Sequence, residues 1–173
     1  MSGYELLARA LDSCGREGAT GQLRVVGMPG GTFHLRNGLV VAVESPGAPG
    51  PEALLLRSGR VNGEQWAALV REAGGARWPV AGLIAHGYTG AAQLRVVCEM
   101  ALHDAAFAVV AGRVDGCERT AAGFEPPAPV PVGEPPAGSW RRPTAGSRPS
   151  PRCRTPSTRT ANGRSRQRAR TGP

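Results

Sequence analysis

Lysine is absent: all 21 basic residues of this 173-residue chain are arginine. A Walker-type phosphate loop ends in lysine, so that way of holding a nucleotide is excluded. Cysteine is sparse and scattered. Cys14, Cys98, Cys117 and Cys153 form no CxxC pair, and with three histidines they make no metal-ligand spacing. They read as small buried or free thiols of a reducing compartment. Long apolar runs are missing too. The best candidate, residues 91–111, is interrupted by Arg95, Glu99, His103 and Asp104, too polar for a membrane span of about 20 residues. The opening MSGYELLARALDSCGREG lacks a basic start and a long apolar core, so it does not read as a secretory leader. The expectation is a cytoplasmic protein.

Catalytic signatures are equally thin. No GxSxG elbow and no HExxH helix occurs. His34 falls on the outward side of an alternating segment. His86 sits beside a glycine, and His103 follows Glu99 by four residues, the spacing of an ordinary helix-surface pair. Folding could bring Glu44 and Glu52 together, but nothing in the pattern separates a carboxylate pair from two solvated acids. The chain is expected not to be an enzyme and to bind no cofactor and no metal.

What is present is divided unevenly. Residues 1–125 hold 11 Arg against 12 Asp and Glu, while residues 126–173 hold 10 Arg against the single Glu134. The overall charge of +8 therefore belongs to the C-terminal part and does not describe the rest. That part is first proline-rich (PPAPVPVGEPPAGSW) and then a mixture of Arg, Ser, Thr, Pro and Gly with almost no apolar residues. Such a composition cannot bury enough surface to offset its chain entropy, so residues 121–173 are expected to be a disordered tail. Arg141, Arg142, Arg164, Arg166, Arg168 and Arg170 could contact polyanions there without sequence preference. With Trp140 as the only aromatic neighbour, they cannot stack many bases. A GC-rich gene translated out of frame also yields this composition, and the tail then has no function.

Residues 1–120 carry the periodic patterns. Leu6, Leu7, Ala10 and Leu11 recur at helical spacing, and Gly15 and Gly18 mark the end of that helix. GQLRVVG and TFHLR alternate, LVVAVE follows, and Asn37-Gly38 between the last two is a strong hairpin signal, because both central residues of a type I′ turn need positive φ. The glycines here join strand to strand, so they cradle no phosphate. Residues 21–44 thus read as a three-stranded antiparallel meander that needs helices to cover its apolar face.

From residue 51 the reading is helical to about 111. A repeat appears at a spacing of 28: LLRSGRVNGEQW (55–66) aligns with LIAHGYTGAAQL (83–94). Each copy reads as helix, glycine, helix, with Gly59 and Gly87 suited to the left-handed position after a helix. Asn62 and Gln65 have the spacing of a capping box. A long helix over about 91–110 shows a main stripe of Leu94, Val97, Cys98, Ala101, Leu102, Ala105 and Val109. Nearly opposite lie Val96, Met100 and Phe107. A helix with two apolar stripes is buried on both sides or meets a partner, so these three residues are expected to form a docking face. Residues 112–126 are expected to add at most one turn or short strand. The fold class is α+β.

The segments TGQLRV (20–25), GTFHLRNGLVVAVE (31–44) and EALLLRSGR (52–60) resemble the PatA-like N-terminal (PATAN) domain of bacterial signalling proteins. The resemblance covers about residues 4–110. It implies no catalytic residues. It implies an adaptor or regulatory role beside response-regulator, GTPase-linked or DNA-binding partners, as in actinomycete regulators with a helical second half. The Arg/Pro tail departs from the family pattern. The expected function is a non-enzymatic regulatory adaptor acting by protein–protein contact, with a protein partner or a homodimer. The alternative is a DNA-binding transcriptional regulator using the helical half or the tail. The arginines of the globular part, such as Arg24, Arg57, Arg60, Arg71 and Arg95, are scattered among acids, whereas specific DNA binding calls for clustering.

Overall fold

The first helix, α1 (Gly3–Arg16), starts at Ser2, whose side chain accepts a hydrogen bond from the Glu5 backbone while the Glu5 side chain accepts one from the Ser2 backbone. This reciprocal cap satisfies two otherwise orphan donors. Leu7, Leu11 and Cys14 form its buried stripe. The structure is a computed structural model that describes residues 2–120 and 127–136.

Three strands follow: β1 (Gly21–Met28), β2 (Gly31–Arg36) and β3 (Leu39–Glu44). Asn37 and Gly38 turn between β2 and β3 with φ of 50° and 78°, the backbone a type I′ hairpin requires. Leu23, Phe33 and Val43 stand side by side across the strands and are buried. The meander is as the alternation predicts. It has, however, a fourth member. β4 (Arg113–Thr120) pairs antiparallel with β1, giving the order β3-β2-β1-β4. Where at most a turn or short strand was expected, eight residues are extended. Only Val114 and Cys117 pack inward from β4, so the strand carries little alternation of its own.

The helical half consists of α2 (Pro51–Arg57), α3 (Gly63–Glu72), α4 (Val80–Ala85) and α5 (Ala91–Ala111). Both repeat units adopt the expected helix-glycine-helix form. Gly59 and Gly87 have φ of 72° and 70°, and the Asn62–Gln65 capping box is made in both directions. The two units are tied by Arg60, whose Nη1 donates to Gln93 Oε1 at 2.7 Å.

Two apolar cores result. One lies between the sheet and the helices α1 and α5, and includes Leu7, Leu11, Phe33, Leu102 and Val109. The other joins the short helices to the start of α5 through Leu55, Trp66, Leu83 and Leu94. α5 contributes to both.

The globular part extends past residue 120, where the tail was expected to begin. Residues 127–136 lie along the free edge of β3. Ala128 is 5% and Val132 2% exposed. Val132 N–H donates to Val41, and Glu134 and Val40 exchange two backbone hydrogen bonds at 2.8 and 2.9 Å. The proline content that argues against order is compatible with an edge position. Pro131 and Pro135 flank the paired Val132 and Glu134 on the alternate positions, where a strand's N–H would point away from its neighbour.

Candidate functional site

The strand pattern puts Gln22, Arg24, Thr32, His34 and Glu44 on the sheet face opposite Leu23 and Phe33. In register, Glu118, Arg24, Thr32 and Glu44 form one row across all four strands. At its β3 end, Glu44 is fully engaged. Its Oε2 accepts from His34 Nε2 at 2.8 Å, and its Oε1 accepts from Arg77 Nη2 at 2.6 Å. The hydrogen bond from His34 is the main reason the Glu44 carboxyl is held at about 2. Arg77 adds to it, and partial burial opposes both. Arg77 in turn lies over the Trp78 ring, 5.0 Å from its centroid. Trp78 meets Trp66 edge-on at 6.4 Å. The ion pair thus ties the turn before α4 to the sheet, and the ring contact to Trp66 ties it to α3.

Beside this cluster runs a groove of about 770 Å³. Its walls are the β1–β2 turn, the proline-rich loop after β3, the start of α2, and Arg77 with Trp78. The loop is held in place by Ser45, whose hydroxyl donates to the Gly30 carbonyl at 2.7 Å. Apolar atoms from Val26, Pro46, Pro49, Leu56 and Trp78 line it, together with the charged Arg24, Glu44, Glu52 and Arg77. A concave, largely apolar space of this size with a few placed polar groups is suited to a small molecule.

The residues expected to dock a partner lie elsewhere, on the outer face of α5. Val96, Met100 and Phe107 are 51%, 52% and 66% exposed, while the opposite side of the helix is buried in both cores. The structure therefore brings these three residues to one open helix face. Asn37, Gly38, Gly59 and Gly87 occupy the turns expected of them. Arg141, Arg142, Arg164, Arg166, Arg168 and Arg170 lie outside the described residues.

Two expectations about charged residues change. Glu99 pairs with Arg95 at 2.9 Å, and His103 instead reaches Glu134 at 3.9 Å. Residue 134 is brought over α5 by the segment along β3, so spacing within the helix could not reveal it. Glu44 and Glu52 do line the same groove, but the two oxygens of Glu44 are taken by His34 and Arg77. The part played by Arg77 and Trp78 was not visible in the sequence. They form no motif, and Arg77 is 33 residues from Glu44.

Cys14, Cys98 and Cys117 are free thiols, each pushed up in pKa mainly by burial. Among the described residues, no group of three or more His, Cys, Asp or Glu is placed to hold a metal ion, and no helix is long and apolar enough to cross a membrane. No family model, curated protein or solved structure matches this chain.

Proposed function

We propose that the chain is a non-enzymatic regulatory adaptor of the PATAN type, working in the cytoplasm through contact with a protein partner. The observation that carries this reading is the outer face of α5. Val96, Met100 and Phe107 recur along one side of a helix that is already fully committed to two cores on its other side. Large apolar side chains clustered in this way on a rigid element are suited to a partner surface. The hairpin resemblance to signalling domains supports the same role, and free thiols are in keeping with a reducing compartment.

Burying Met100 and Phe107 against a partner would contribute roughly 1.5–3 kcal/mol each. The double substitution Met100→Glu, Phe107→Glu should therefore weaken association by at least about 100-fold. The test combines light scattering of the purified chain with partner capture, comparing wild type and the double variant at matched circular dichroism. Loss of a homodimer, or of an identified regulatory partner, is the expected result. A wild type that stays monomeric at high concentration and captures no such partner refutes the reading. So does a double variant that fails to fold, because those residues would then be core. Specific retention on DNA, unaffected by the double substitution, would favour the DNA-binding alternative.

A further inference from the structure

We propose that the groove beside the Glu44 cluster binds a small amphipathic carboxylate, with its acid group at Arg24 and its apolar body against Leu56, Pro46, Pro49 and Trp78. The inference does not depend on the adaptor reading, which concerns other residues, Val96, Met100 and Phe107 on α5.

The charge balance of the groove identifies the ligand's head. The negative charge of Glu44 is already paired, since each of its oxygens accepts a hydrogen bond, one from His34 and one from Arg77. Arg77 is held in turn by Glu44 and by the Trp78 ring. Arg24 is different. It is exposed on β1, lines the groove, and its side chain makes no hydrogen bond or ion pair among the described residues. Glu118 stands opposite it in register without an ion pair between them. Among the described residues, Arg24 is thus a guanidinium without a side-chain partner, at the side of an apolar space. A guanidinium fork matches a carboxylate in a bidentate manner. The remaining charge, Glu52, is exposed in the first turn of α2. It discourages a second anionic group and so favours a ligand with one acid head.

The walls identify the ligand's body. Proline and glycine in the loop after β3 present flat apolar surface with few donors, and the hydrogen bond from Ser45 to Gly30 fixes that loop. Leu56 and Trp78 face the space from the helical half. The volume of about 770 Å³ is in the range of small-molecule sites, which extends to about 1,000 Å³.

The test uses decanoate and decanol as probes on the full-length ¹⁵N-labelled chain, titrated by NMR. Decanoate should perturb the amides of Arg24, Thr32 and Leu56 and the Trp78 indole, and should bind about 10-fold or more tightly than decanol, as expected for one charge-assisted bond. Arg24→Gln should remove that preference while leaving the rest of the spectrum in place. Arg24→Lys should restore part of it. Glu52→Gln should bind decanoate at least as well as wild type. The proposal is overturned if neither probe binds at millimolar concentration, or if both bind equally. It is also overturned if Arg24→Gln has no effect, or if the shifts fall only on α5 or on the arginine-rich C-terminal residues. Failure of the α5 double variant to lose a partner would leave these shifts unchanged, so the two readings fail separately.

Discussion

Replacing Val132 by alanine probes the least expected part of the fold. The side chain is 2% exposed and belongs to the sheet core. Removing its two methyl groups costs about 0.8 kcal/mol each in lost burial, and the residual cavity brings the total to about 1–2.5 kcal/mol. Three backbone hydrogen bonds, from Val132 to Val41 and between Val40 and Glu134, hold the segment to β3. The remainder of the sheet is paired independently of it. The segment can therefore open without global unfolding. Its local opening equilibrium should take the full effect, so amide exchange at Val40, Val132 and Glu134 should accelerate about 5- to 70-fold. Exchange at Leu23 and Phe33, deep in the sheet, should change less. The assay is native-state hydrogen exchange by NMR on wild type and Val132→Ala. If these three amides exchange at unprotected rates in the wild type, or if the substitution leaves their protection unchanged, the segment is not docked and the reasoning fails.

Two further perturbations test the site and the turns. The Glu44 carboxyl is held at about 2, below its ordinary 4.5, so its stabilisation is present above about pH 4.5 and is lost as the pH falls towards 2. Because Glu44 is 41% exposed, solvent screening limits the effect to about 1 kcal/mol. The melting difference between wild type and Glu44→Gln should shrink between about pH 6 and pH 2, and a constant difference would refute the assignment. Gly38 and Gly59 both have positive φ, but a Cβ on Gly38 would lie 2.7 Å from the Gly15 carbonyl oxygen, whereas one on Gly59 meets nothing within 4 Å. Gly59→Ala should cost about 1 kcal/mol in urea unfolding, and Gly38→Ala at least about 1 kcal/mol more. Equal costs would show that the turn alone decides.

Local chemistry was legible in the sequence. The Asn37-Gly38 turn, the Asn62–Gln65 cap and the stripe of α5 each depend on residues within a few positions of one another, and each is found as read. What escaped depends on distant partners. β4 is stabilised by pairing with β1, from which it is separated by the whole helical half, and half of its own residues are charged. The segment 127–136 looks unable to fold when judged by composition, because composition does not register that β3 offers an open edge to its N–H groups. The groove is assembled from β1, β3, α2 and the turn before α4. No short window of sequence contains enough of it to suggest a site.

The prolines of that same segment have a consequence for how the sheet can grow. A docked strand ordinarily presents a fresh row of donors on its far side, ready for the next chain. Here Pro131 and Pro135 on the far side have no N–H to give, and Gly133 between them is left as a donor. The segment adds three hydrogen bonds to β3 and presents a donor-poor border beyond it, as a charged or kinked edge strand does in other sheets. The opposite border of the four-stranded sheet is β4. Arg113 and Asp115 pair there across 3.1 Å, and any incoming strand would have to accommodate their charges. The two borders thus differ in what they offer an incoming strand, few donors at one and paired charges at the other.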